Sequence, residues 1–495
     1  MAREAERGVV AAGHPLTARA GADVLRSGGN AVDAAVAAVL SSLVAEPLLT
    51  GLGAGGYLLV APPGRDPVLV DFFVEAPGRG ADPSARAPLL PVEVSFGDAV
   101  QAFHVGAASC GAFGVPAGVQ AALDRFGTVP LTSLTAPAAA LARAGVRVNE
   151  QQAYVFALLA GILGSTAEAR STYFVDGRPP VAGDVVRNPD LADALDRLGA
   201  EGAGPFYGGD IGDAVCDWVL ARGGSLTRAD LAAYRVVERE PVRVPYRGRE
   251  VYTNPPPSAG GVLLAYALAL LGRTPGPPDE PDLVRAMVSA QQARTPEFFT
   301  GLPAPGFGEA FLASRLGSTT HISVLDRDGW ACSVTCSNGE GSGLVVPGTG
   351  VHLNNMMGEQ DLSPRGFFTH PPGRRLPSMM APTVVRRDGQ AELVLGSAGS
   401  NRIRSALLQV VVNAVDRGMA AQEAVDAPRL HAEDGVVYVE PGIDVGALVA
   451  AGHTVTPFRA RNLFFGGCQA AERRDGTGAL CGGGDPRRGG AVVLA

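Results

Sequence analysis

Residues 318–337 read STTHISVLDRDGWACSVTCS. Two runs rich in β-branched and small residues flank Arg327-Asp328-Gly329, and Asp-Gly between such runs is a strong hairpin signal. The pattern predicts strands over Ile322–Asp326 and Ala331–Ser337. A three-residue loop places Thr319 opposite Ser337; a two-residue loop would put Asn338 there. Directly opposed Cβ atoms lie roughly 4.5–5.5 Å apart, so either register brings a hydroxyl or an amide beside Thr319. A threonine hydroxyl is a weak nucleophile, but a threonine that begins a chain carries its own base, an α-amine titrating at about 7.7–8.0. Thr319 is therefore the candidate nucleophile of a precursor cut between Ser318 and Thr319. Ser337 would hold its Oγ and relay a proton.

A second hairpin repeats the plan: Thr383–Arg386, Arg-Asp-Gly, then Ala391–Leu395. It runs into GSAGSN (396–401) and a helical pattern over 402–417. Amides at such a strand-to-helix junction have no intrahelical partner. Aimed at a carbonyl attacked by Thr319, those of Gly399 and Ser400 would form an oxyanion hole. A glycine-rich turn without chemistry is the alternative reading of the same residues.

The first half of the chain has a different texture. SGGNAVDAAVAAVLSSLVAEP (27–47) predicts an Ala/Val helix stopped by Pro47, small on every face and so buried between other elements. GLGAGG (51–56) matches G-x-G-x-x-G, yet the strand follows the glycines instead of preceding them, which is the reverse of a dinucleotide site. NPPPSAGG (254–261) is a rigid loop before a core helix over 262–271, and the Pro/Gly-rich stretch 300–317 is an exposed approach to Thr319.

The 495 residues are 46% hydrophobic and 18% charged, with net charge −8 and no long run of one sign. That composition describes a globular chain and argues against nucleic acid or anionic membrane as partners. No apolar run approaches the ~20 residues of a membrane helix, and MAREAERGVV lacks an apolar h-region. Six dispersed cysteines resemble no disulfide framework, which fits a reducing cytoplasm. Cys332 and Cys336 stand about 13 Å apart along a strand, too far to share one metal with His321. No metal or cofactor is expected. His14, His104, His352, His370, His431 and His453 stand isolated in sequence.

Taken together, HPLTARAG, GGNAVDAAVAA, GAGGY, NPPPSAGG, STTHISVLD, VVPGTGVHLNN, APTVV, GSAGSNRI, DAPRLH and GGDPRRGG, in this order over nearly the whole chain, resemble the γ-glutamyltransferase (γ-glutamyltranspeptidase) family. The resemblance implies an N-terminal-nucleophile hydrolase with a four-layer αββα sandwich. It implies subunits 1–318 and 319–495 that stay together as a heterodimer, singly or in pairs, acting on a small molecule. Thr319 matches the family's nucleophile.

The departures concern the substrate. The family's arginine for the glutamyl α-carboxylate falls on Phe73 in DFFVEAP, and its paired serines fall on Ser378 and Met379. The acid for the α-amine falls on Glu359, and Ser337 and Asn338 match a Thr and an Asn beside the nucleophile. Losing a buried charged hydrogen bond costs ~2–5 kcal/mol, so glutathione should bind poorly. The expectation is amide hydrolysis or acyl transfer on another substrate. One alternative is carbon–carbon bond hydrolysis, as in relatives making 4-alkylproline units of specialised metabolites. The other is a non-catalytic binding relative, against which the retained STTH and glycine loops argue.

Overall fold

The computed structural model describes residues 6–95, 100–292, 320–363, 366–399, 401–474 and 477–495. Its principal elements begin with β1 (Gly8–Ala12), α1 (Pro15–Arg26), α2 (Ala31–Ala45), β2 (Gly55–Ala61) and β3 (Val68–Phe72). A helical region follows with α3 (Leu131–Ala144), α4 (Glu150–Leu158) and α5 (Pro189–Glu201), then β4 (Val237–Arg239), β5 (Val242–Tyr246), β6 (Arg249–Thr253), α6 (Ala259–Leu271) and α7 (Glu280–Gln292). The remainder supplies β7 (Thr320–Asp326), β8 (Ala331–Ser337), β9 (Thr383–Arg387), β10 (Gln390–Ala398), α8 (Arg402–Val415), β11 (Gly467–Arg473), β12 (Leu480–Gly484) and β13 (Ala491–Leu494).

Two antiparallel sheets result. One runs β13-β1-β7-β8-β2-β3-β4 and the other β12-β11-β10-β9-β6-β5. Successive strand side chains point to opposite faces, and that alternation builds the layers. Ile322, Val324 and Val334 pack with Val32, Val36 and Val39 of α2. Leu325 and Ala331, on the opposite face, pack with Val384 and Val394 of the second sheet. Val385, Leu393 and Leu395 turn outward onto Leu264 and Leu268 of α6 and Leu407 and Val411 of α8. The fold is the expected helix–sheet–sheet–helix sandwich.

The hairpin loops differ in length for a conformational reason. The first has three residues, with Thr320 opposite Cys336, Leu325 opposite Ala331, and Gly329 at φ +91°. The second has two: Arg387 pairs with Gln390, leaving Asp388 and Gly389 at φ +51° and +79°. A two-residue turn matching the strand twist needs positive φ at both positions, which Asp-Gly tolerates. Strand β7 starts earlier than the pattern suggested, and α8 stops earlier. Its C-cap, Asp416, accepts instead from Tyr246 Oη (2.5 Å) and Arg247 Nε (2.8 Å). Gly55 and Gly56 belong to β2, opposite Ser337 and Cys336, confirming the reversed order at GLGAGG.

Helix α2 is buried along all fifteen residues. Asn30 and Asp33 form a capping box at its start. Asp33 also accepts from Thr128 N (2.8 Å), Val129 N (3.1 Å) and Thr128 Oγ1 (2.6 Å), tying α2 to the α3 approach. At the same end Ala31 N donates to Asp326 Oδ2 (3.1 Å), and at the other Thr320 Oγ1 donates to Glu46 Oε2 (3.1 Å). Strand β7 is thus fastened to α2 at both ends. Among the described residues no helix is long and apolar enough to cross a membrane, and all six cysteines are free thiols.

Replacing Asp33 by Ala takes the acceptor from four part-buried donors, Asn30 N, Thr128 N, Thr128 Oγ1 and Val129 N, and should lower stability by about 2 kcal/mol, read from urea midpoints. Asp33→Asn should recover part of the loss. A wild-type midpoint in Asp33→Ala would overturn this account of α2.

Candidate active site

Several chain segments end at one cleft. Its wall takes Gly13 and His14 from the β1–α1 junction, Glu46 from the C-cap of α2, and Ser337, Gly339 and Glu340 from the end of β8. It takes Gly399 from the end of β10, Arg402 from the first turn of α8, and Arg488 from the approach to β13. Phe103, Val155, Phe156, Leu158, Leu159 and Leu463 supply an apolar side. Ser318, Thr319 and Ser400 lie outside the described residues. The described end of β7, Thr320, contacts the cleft residue Glu46.

Ser337 is buried, and its Oγ accepts from Gly339 N (2.8 Å). Its own hydroxyl proton has no described acceptor, so it can donate into the cleft. Gly399 has φ +119°, a conformation suited to glycine, and its carbonyl accepts from Arg402 N (3.1 Å). Glu359 is buried beside Gly339: a Cβ on that glycine would stand 2.9 Å from Glu359 Oε1. Its carboxyl also hydrogen-bonds with that of Glu340, whose pKa is raised chiefly by burial.

The other expected substrate residues lie elsewhere. Asn338 is fully buried and donates from Nδ2 to His352 O (3.2 Å), which fixes a loop. Phe73 stacks on Tyr57 with centroids 5.3 Å apart, within the layer between the sheets. A guanidinium does stand near it, that of Arg375, but it is engaged by Asp71 (3.4 Å), Glu75 (3.7 Å) and the carbonyl of Phe73. Ser378 and Met379 are buried against the start of α6, where Ala259 N donates to Ser378 O (2.7 Å). None of these four residues lines the cleft.

Glu46, Glu340, Arg402 and Arg488 were given no role by motif reading. Glu46 is the C-cap of α2 and is buried. Thr17 Oγ1 (2.8 Å) and Thr320 Oγ1 (3.1 Å) donate to its two oxygens. Burial outweighs both bonds and pushes its pKa up to about 6. His14, isolated in sequence, caps α1 by accepting from Leu16 N (3.2 Å) and is held below its usual pKa by burial.

His321 works behind the cleft. Its Nδ1 meets Thr335 Oγ1 (2.7 Å) and its Nε2 meets Ser323 Oγ (2.9 Å), while burial lowers its pKa to about 3, so it stays neutral. Ser323 donates to Gln469 O (3.1 Å) and Ser333 to Leu395 O (3.0 Å), joining the sheets. The ring fills the space in front of Gly396, where a Cβ would lie 2.2 Å from His321 Cε1. The strand that begins at Thr320 and the strand that ends at Ala398, just before Gly399, are thereby held face to face across the two sheets.

Comparison with known proteins decides the family. The gamma-glutamyltranspeptidase model matches residues 17–292 and 280–495. The chain belongs to that family. It is 33% identical to the acylase ACY 1 proenzyme of Pseudomonas sp. (strain SE83), over 96% of this chain and 92% of that protein. It is 31% identical to the glutathione hydrolase proenzyme of Escherichia coli (strain K12), over 86% of this chain and 81% of that one. The crystal structure of cephalosporin acylase from Bacillus halodurans superposes with a TM-score of 0.84 at 27% identity, covering 100% of this chain and 97% of that one. This γ-glutamyltranspeptidase-family chain is accordingly an enzyme of the amide-hydrolysing and acyl-transferring class.

Folding takes up a proton at Glu46 as its pKa rises from 4.5 to about 6. The resulting contribution is complete below the unfolded value and is lost as pH rises through about 6. Glu46→Gln should therefore gain about 2 kcal/mol over wild type near pH 8 and almost nothing near pH 4, read from urea midpoints. Equal gains at both pH values would show that the carboxyl does not titrate in this range.

Proposed function

We propose that this enzyme is a self-processing amide hydrolase or acyltransferase whose nucleophile is Thr319 and whose substrate is not glutathione. Cleavage between Ser318 and Thr319 frees the α-amine that serves as base. Thr319 Oγ then attacks the substrate carbonyl carbon, its proton passes to the α-amine, and the tetrahedral oxyanion is met by amides of the Gly399–Ser400 turn. Collapse breaks the C–N bond, the departing amine takes the proton, and water or a second amine resolves the acyl ester. The observation that carries the reading is the convergence of Ser337 and Gly399 on a cleft whose residue Glu46 bonds Thr320, the neighbour of Thr319.

The substrate clause rests on the family's arginine position. Phe73 is an apolar ring buried between the sheets, and the cleft's apolar side would accept an acyl chain better than a zwitterionic glutamyl group. The acylase relative at 33% identity and the full-length superposition on cephalosporin acylase, TM-score 0.84, support the same choice.

Intact-mass measurement of purified wild type should give two fragments meeting at Ser318 and Thr319, and Thr319→Ala should stay whole. A wild-type chain that stays intact after prolonged incubation would instead favour a non-catalytic relative. For the processed enzyme, kcat/KM for a γ-glutamyl anilide should fall about 100-fold below that for an anilide of a simple aliphatic acid. The opposite ranking would remove the substrate clause.

A further inference from the structure

Arg488 is a cleft cation whose neighbouring carboxylates are already engaged. Asp485 is bound by Arg429 Nη1 (2.7 Å) and Arg487 Nη1 (3.2 Å), and Glu440 by Arg487 Nη2 (2.5 Å). Among the described residues Arg488 makes no ion pair, and its Nε is buried with no acceptor. Burial and the like charge of Arg402 both act against its protonation, while Asp485 and Glu340 attract it from a distance. A guanidinium in this state binds an incoming anion strongly, because a buried donor left unmatched costs more than a solvated one.

Position narrows the ligand. A Cβ at Gly399 would stand 3.3 Å from Arg488 Nη2, so the cation lies directly beside the glycine turn. Arg402 lines the same cleft, donates from Nε to Phe464 O (3.0 Å) and lies in the field of Glu340 and Glu433, so its charge is already partly matched. Glu340, also in the cleft lining, shares a hydrogen bond with Glu359, which lessens repulsion of a further carboxylate. The apolar side formed by α4, Leu159 and Phe103 lies within the same cleft.

We propose that Arg488 forms a carboxylate subsite, and that the enzyme's substrates are amides of an apolar acyl chain carrying a carboxylate within a few bonds of the scissile carbonyl. N-acyl amino acids are the simplest such class. The assignment rests on the proposed reading insofar as Gly399 marks the scissile carbonyl. The subsite replaces the carboxylate clamp absent at Phe73 with one built on another wall.

The test uses binding, not turnover. The probe is the ketone isostere of N-hexanoylglycine, with a methylene in place of the amide nitrogen, compared by calorimetry with its carboxamide on purified enzyme. The acid should bind on the order of 10- to 100-fold more tightly than the carboxamide. Arg488→Leu should abolish that advantage, weakening the acid far more than the carboxamide, and Arg488→Lys should keep part of it. Equal affinities of the two probes for wild type would overturn the subsite, as would an acid preference that survives in Arg488→Leu. Should Arg488→Leu fail to fold, a full wild-type preference in folded Arg488→Lys together with tight carboxamide binding would count against the guanidinium. The mass of the same samples reports processing at Thr319, so failure of the chemistry and failure of the subsite read separately.

Discussion

Strand β7 and helix α2 must have matching lengths, because each end of one is bonded to an end of the other. Fifteen residues of helix rise about 22 Å, and a seven-residue strand spans about 20 Å between its terminal Cα atoms. Asp326 receives the helix's first amide and Glu46, at its last turn, receives the hydroxyl of Thr320. A shift of one residue in the strand would turn Ile322 and Val324 away from the helix and carry Thr320 off Glu46. The head of the strand, where the nucleophile is proposed, is therefore placed by a core helix instead of by a loop.

A second constraint acts from behind. Polar groups in a sandwich core are tolerated only when satisfied, and His321, Thr335, Ser323 and Ser333 satisfy one another and the carbonyls of Gln469 and Leu395. The neutral imidazole is a spacer and a bonding centre at once. Its close approach leaves no room for a side chain at Gly396. Two strands distant in sequence thus meet at a spacing set by one ring, and the turn at Gly399 inherits its position from that contact.

The cleft itself combines an apolar wall with charges of both signs, a mixture that favours orientation of an amphipathic ligand over simple burial. The buried network of Arg429, Asp485, Arg487 and Glu440 just behind it balances its own charges. Because that network is closed, it leaves Arg488 to the cleft. Around Phe73 the situation is reversed: Arg375 is present but spent on Asp71 and Glu75, and the ring beside it only packs. Charge placement separates two regions that the family pattern would have treated as one pocket.

Much of this protein was legible in its sequence. Asp-Gly between strand-like runs located both hairpins, small residues on every face marked α2 as buried, and the ordered motifs from HPLTARAG to GGDPRRGG pointed to the family. These signals are local, and local backbone geometry carries them. The sequence could not show that Phe73, Ser378 and Met379 pack inside the sandwich, since an apolar or small residue reads the same in a pocket and in a core. Nor could it single out Glu46 or Arg488, whose surroundings come from other elements, Thr320 for Glu46 and the Gly399 turn for Arg488. Fold and family follow from patterns within a few residues; which charges face the cleft follows only from how the layers close, because burial and electrostatic pairing are properties of neighbours in space.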